Sequence, residues 1–118
     1  MDQYTREELD AALQIVASSI SRCDKAQPKF AEGTSQHTLL KNRIKALYIS
    51  KALMLEEDVK YSNEELEAAL RPVSSIISKC EKAQMKFPEG TSQHTRFNKM
   101  IKAMYLAKAL IASEIGGR

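Results

Sequence analysis

The chain spells one unit twice. From Tyr4 it reads "YTREELDAALQIVASSISRCDKAQPKFAEGTSQHT", and from Tyr61 it reads "YSNEELEAALRPVSSIISKCEKAQMKFPEGTSQHT". Further on, "IKALYISKAL" lies over "IKAMYLAKAL" at the same offset. The match is gapless, and about six positions in ten are identical, which marks a repeated supersecondary unit. A unit this small buries too little apolar surface to stand alone. The two are therefore expected to pack on each other as one domain, residues 1–118, with repeat 1 at 4–57 and repeat 2 at 61–114.

Each unit reads as a helical hairpin. Thr5 with Glu8, and Ser62 with Glu65, have the spacing of a capping box, in which hydroxyl and carboxylate each satisfy a backbone N–H at a helix start. Behind them Leu9, Leu13, Val16, Ile20, Cys23 and Phe30 recur at helical spacing, as do Leu66, Leu70, Val73, Ile77, Cys80 and Phe87. Gly33 and Gly90 are the expected stops, where a left-handed residue is needed. Thr34 or Ser35, and Thr91 or Ser92, are placed to cap a second helix. That helix is expected to present Leu40, Ile44, Leu47 and Ala52, ending near Met54, and in the second copy Phe97, Ile101, Met104 and Ala109. Pro28 and Pro88 fall where helices should end, whereas Pro72 falls inside one and predicts a kink or local break. With no Gly or Pro in "EEDVKYS", the link between hairpins is short enough for helix to run into it. The expected fold is all-α, a four-helix bundle of two hairpins with an internal pseudo-twofold, or with hairpins exchanged in a dimer.

Bulk properties narrow the function classes. Of 118 residues, 43% are hydrophobic and 28% charged, a globular balance. A net charge of +3 is too small to argue for nucleic acid by itself. No apolar run reaches the roughly 18 residues a membrane span needs. The start, "MDQYTREELD", is acidic and polar instead of a basic-then-apolar leader, so a cytoplasmic location is expected. There the two cysteines, Cys23 and Cys80, should be free, buried thiols.

The heptapeptide "EGTSQHT" is identical at Glu32–Thr38 and Glu89–Thr95. Turn and cap chemistry accounts for the glycine and one hydroxyl, and inheritance through duplication could account for the rest. Other surface positions have nevertheless diverged: Arg6 against Asn63, Gln14 against Arg71, Leu39 against Arg96, Lys41 against Asn98. A helix start offers unpaired N–H groups and the positive end of the dipole, and a histidine there titrates near neutral pH. The candidate ligand-binding residues are Gly33, Thr34, Ser35, Gln36 and His37, with Lys45 and Tyr48 further down the helix. Their counterparts are Gly90, Thr91, Ser92, Gln93, His94, Lys102 and Tyr105. Glycine would admit close backbone approach, the hydroxyls would donate hydrogen bonds, His and Lys would supply charge, and Tyr a stacking face. Tyr48 and Lys51 fit the edge of a core face somewhat better than a ligand site, since amphipathic side chains commonly cover apolar surface. The P-loop spacing of Gly, Lys and Ser/Thr is missing.

Other chemistry is disfavoured. Cys23 lies roughly 15 Å before the turn and His37 roughly 5 Å beyond it, at 1.5 Å per residue, too far apart to share a zinc ion. No metal and no cofactor are expected. Ser35 with His37 lacks an orienting acid at obvious spacing, so no enzyme is expected. The basic residues of the second helices, Lys41, Arg43, Lys45 and Lys51 with Arg96, Lys99, Lys102 and Lys108, have thin aromatic interleaving; nucleic acid is a disfavoured partner.

The segment "SRCDKAQPKFAEGTSQHTLLKNRIKALYISKALM" resembles short hypothetical proteins of Gram-positive bacteria and their mobile elements. The resemblance covers each repeat almost whole and implies no activity. A single-unit relative would imply that one hairpin dimerises, and that this chain is the fused version. The expected function is a non-enzymatic binding protein with two equivalent sites for an anionic small molecule such as a nucleotide, in a sensing or sequestering role, as a homo-oligomer. The alternative is a helical interaction or assembly module with no small ligand.

Overall fold

Helix starts are set by local chemistry, and both capping boxes form. The Glu8 N–H donates to Thr5 Oγ1 at 3.0 Å and the Thr5 N–H to Glu8 Oε1 at 2.9 Å. The same pair of bonds joins Ser62 and Glu65 at 3.0 and 2.9 Å. The computed structural model describes residues 4–58 and 60–117. Among them are four helices and no strand: α1 (Arg6–Ala26), α2 (Ser35–Met54), α3 (Asn63–Gln84) and α4 (Ser92–Gly116). A 3-10 turn, Gln27–Lys29, follows α1.

The hairpin turns form as the sequence implies. Gly33 and Gly90 take φ of 88° and 93°, the left-handed region open to glycine. Thr34 and Thr91 then cap α2 and α4, each accepting the N–H three residues on. Phe30 and Phe87 do not belong to the helix faces assigned them. α1 stops at Ala26 and α3 at Gln84, so both rings sit in the turns, Phe30 40% exposed. Helix does not enter the link either: Leu55 ends α2, and Glu56 takes φ 59°. Pro72 breaks nothing, since α3 runs unbroken past it. The N–H that Pro72 lacks would have met the carbonyl of Ala68, an exposed residue that water can serve.

The helices pack in a ring, α1 on α2, α2 on α3, α3 on α4 and α4 on α1. α2 and α4 also meet across the middle, while no Cα of α1 lies within 8 Å of one in α3. The inner pair therefore buries more than one face. Ala46, Leu47, Ile49 and Ser50 are buried together on α2, and Ala103, Met104, Leu106 and Ala107 on α4. The expected stripe of Leu40, Ile44, Leu47 and Ala52 is corrected accordingly: Leu40 and Ile44 are only half-buried. Of the matched pair Ala52 and Ala109, the first is buried and the second exposed. The outer helices keep a single stripe, Leu9, Ala12, Val16 and Ile20 on α1 and Leu66, Ala69, Val73 and Ile77 on α3. Each large side chain fully buried here, such as Leu47, Leu66, Met104 or Ile111, contributes about 1.5–3 kcal/mol. Buried Ser50 satisfies its hydroxyl on the Ala46 carbonyl at 2.8 Å.

The molecule measures 41 × 39 × 20 Å, a slab two helices thick. No residue from 21 to 45 or from 78 to 102 is buried. The core thus holds the open ends of the hairpins, and the turn ends project beyond it.

Candidate functional site

At each turn the threonine is spent on the fold. Thr34 Oγ1 accepts the His37 N–H at 3.2 Å and donates to the Ala31 carbonyl at 2.7 Å. Thr91 does the same with His94 and Pro88, at 3.2 and 2.8 Å. The N–H groups of Ser35 and Gln36, and of Ser92 and Gln93, lie in the first turn, where no intrahelical carbonyl reaches them. Ser35 Oγ approaches Gln36 Oε1 at 3.5 Å and Ser92 Oγ approaches Gln93 Oε1 at 3.4 Å, long contacts between exposed neighbours. Both histidines are half-buried, and neither imidazole has a hydrogen bond or ion pair among the described residues. A Cβ added at Gly33 or Gly90 would meet no atom within 4 Å, so the space beside each is open.

Lys45, Tyr48, Lys102 and Tyr105 are not gathered at the turns. Rise along the helix separates them from the turns. Lys45 and Tyr48 lie roughly 16 and 21 Å beyond the Thr34 cap along the helix axis. Lys45 Nζ instead pairs with Glu65 Oε2 at 3.3 Å, from the start of α3. The Glu65 carboxyl is held below its ordinary range, first by the Ser62 N–H and then by Lys45. Tyr48 is exposed, and the Tyr105 hydroxyl donates to Glu81 Oε2 at 3.3 Å. The Glu81 charge pushes the Tyr105 phenol above its ordinary value.

Lys45, Lys102 and Tyr105 belong to two grooves between the hairpins, and Tyr48 lines neither. One, of about 800 Å³, runs between α2 and α3 and includes Arg43, Lys45, Glu65, Arg71, Pro72 and Lys79. The other, of about 540 Å³, runs between α1 and α4 and includes Tyr4, Glu8, Gln14, Lys99, Lys102 and Tyr105. Matched sequence positions recur in both: Glu8 with Glu65, Ala12 with Ala69, Lys102 with Lys45, Ala103 with Ala46. The grooves arise from contact between units, which periodicity within one helix does not reveal. The identity of "EELxAAL" and "IKA" in both copies is the trace they leave in the sequence, and the sequence reading did not use it.

Cys23 and Cys80 are half-buried free thiols. Burial pushes both up, opposed by the charges of Arg43 and Arg22. With α1 and α3 more than 8 Å apart, the two cannot join in a disulfide within the chain. Among the described residues no group of three or more His, Cys, Asp or Glu side chains is placed to hold a metal ion. No described helix is long and apolar enough to cross a membrane. Compared with known protein families, curated proteins and solved structures, the chain matches none.

Proposed function

We propose that this chain is a duplicated helical hairpin acting as a non-enzymatic binding protein, whose two helix starts each take an anionic small ligand such as a nucleotide. One observation carries the reading. The fold uses Gly33 and Thr34, and Gly90 and Thr91, yet Ser35-Gln36-His37 and Ser92-Gln93-His94 are also identical. Their side chains make no hydrogen bond that closes the turn. Polar groups retained in both copies and not hydrogen-bonded across the turn are available for recognition. Free first-turn N–H groups, flanking hydroxyls and an unengaged imidazole suit a phosphate or carboxylate. Duplication would make the two sites equivalent, in a sensing or sequestering role that needs no chemistry on the ligand.

Native mass spectrometry after incubation with a nucleotide mixture tests this. Two additions per chain are expected, lost in His37→Ala/His94→Ala with folding intact. An unliganded chain across the mixture, or additions that survive the double variant, would overturn it.

A second reading, a helical assembly module, is favoured by a different observation. The turn ends expose large apolar side chains, Met85 at 85% and Leu39 at 66%. Under that reading the same spectra give a discrete oligomer, and Met85→Lys with Leu39→Lys returns it to a monomer.

A further inference from the structure

Arg43 on α2 and Arg71 and Lys79 on α3 line the same groove of about 800 Å³. The groove is polarised along α3. Its acids, Glu64, Glu65 and Glu67, are confined to the first turns of the helix, and Lys45 answers one of them. Beyond them Arg71, Ser75 and Lys79 follow at intervals of four, one above the other on a single face. None of the ion pairs among the described residues engages Arg43, Arg71 or Lys79. Arg43 is half-buried, and its charge acts on Cys23 of α1 and Cys80 of α3 alike, which places it at the junction of the hairpins. A half-buried guanidinium without a carboxylate, lining one open groove together with two further cations, is arranged for an anion that the chain does not itself supply.

The matching groove differs at this end. Met100 and Gln14 stand at the positions of Arg43 and Arg71, whereas Lys79 and Asn42 are matched by the cations Arg22 and Lys99. Met100 points its sulfur at the Ser19 hydroxyl, 3.6 Å away. What this groove alone has among its lining residues is arginine, Arg43 on α2 and Arg71 on α3.

We propose that the basic end of the α2–α3 groove is a single anion-binding site, where Arg43, Arg71 and Lys79 hold a phosphate-bearing ligand and Asn42 and Ser75 add hydrogen bonds. The guanidinium groups supply planar, two-pronged contacts to phosphate oxygens, and Lys79 supplies a point charge. This site does not depend on the repeated turns.

Isothermal titration of the full chain with inorganic pyrophosphate is the test. One pyrophosphate per chain is expected, with affinity falling as salt rises. Arg71→Gln/Lys79→Gln changes only exposed side chains and should weaken binding at least about tenfold, through loss of charge-assisted hydrogen bonds. Arg43→Gln should weaken it further, with circular dichroism reporting whether the helices persist. His37→Ala/His94→Ala should leave it unchanged. No heat at millimolar pyrophosphate, or undiminished binding in Arg71→Gln/Lys79→Gln, overturns the proposal. Binding of two per chain, lost only with the histidines, overturns it as well and leaves the turn sites standing.

Discussion

The two hairpin ends carry the same heptapeptide and the same threonine cap, yet they close differently. In the second, Phe87 stacks on Phe97 with centroids 5.9 Å apart and planes 23° apart. Gln84 Nε2 adds a hydrogen bond to the His94 carbonyl at 3.2 Å, tying the end of α3 to the start of α4. In the first, Leu40 stands where Phe97 would be, and Phe30 is left 40% exposed. Pro28 stands where Met85 would be. With no N–H to give the Asp24 carbonyl, it stops α1 at Ala26 and turns Gln27–Lys29 into a 3-10 turn, while the matched Gln84 stays helical. α3 accordingly packs more extensively on α4 than α1 does on α2. The turn decides where helices begin. Two neighbours outside it decide how tightly the end shuts.

The largest expected effect removes the ring that differs. Phe97→Ala should cost about 2 kcal/mol, from a half-buried ring and its stacking partner. Leu40→Ala should cost about half that. Urea denaturation of both variants decides it, and equal losses would break the comparison. The reverse exchange sharpens it. Leu40→Phe puts a ring opposite Phe30 and should gain about 0.5–1.5 kcal/mol if the aromatic pair is what shuts the second end. Next come the caps, where the ends should agree. Thr34→Ala and Thr91→Ala remove the same bond to His37 and His94 and should each cost about 1 kcal/mol. A clear inequality in denaturation midpoints would mean that closure, and not capping, holds the helix starts.

What could be read from the letters follows the same division. Capping boxes, turn glycines and threonine caps involve residues three or four apart, so their spacing is already their geometry. The outer helices were legible because one face of each is wet: Leu9, Val16 and Ile20 repeat cleanly. The inner helices were not. Ala46, Ile49 and Ser50 are buried on several sides by three neighbouring helices, which erases the period that a single stripe would leave. Phe30 and Phe87 matched a helical spacing but stand past the helix ends. At the candidate site the turn group was legible and the grouping with Lys45 and Tyr48 was not. Residue type says nothing about the roughly 16 Å of rise between cap and lysine. The grooves needed both units in place before they existed.

The smallest effect separates the two grooves by a proton. Glu65 closes the capping box of α3 and also meets Lys45 across the α2–α3 groove. Its folded carboxyl titrates below the ordinary glutamate value. A carboxylate with a depressed folded pKa adds stability that is present above the unfolded value and is lost as pH falls through the folded one. The acid limb of the stability profile should therefore steepen below about pH 4.5 and flatten in Glu65→Gln. The hydrogen bond from the Ser62 N–H and the contact with Lys45 both favour the charged form. Carboxyl ¹³C titration of Lys45→Met should consequently move the Glu65 midpoint up only part of the way. A midpoint fully restored to the ordinary glutamate range would show instead that the groove lysine, and not the helix start, holds the charge on Glu65.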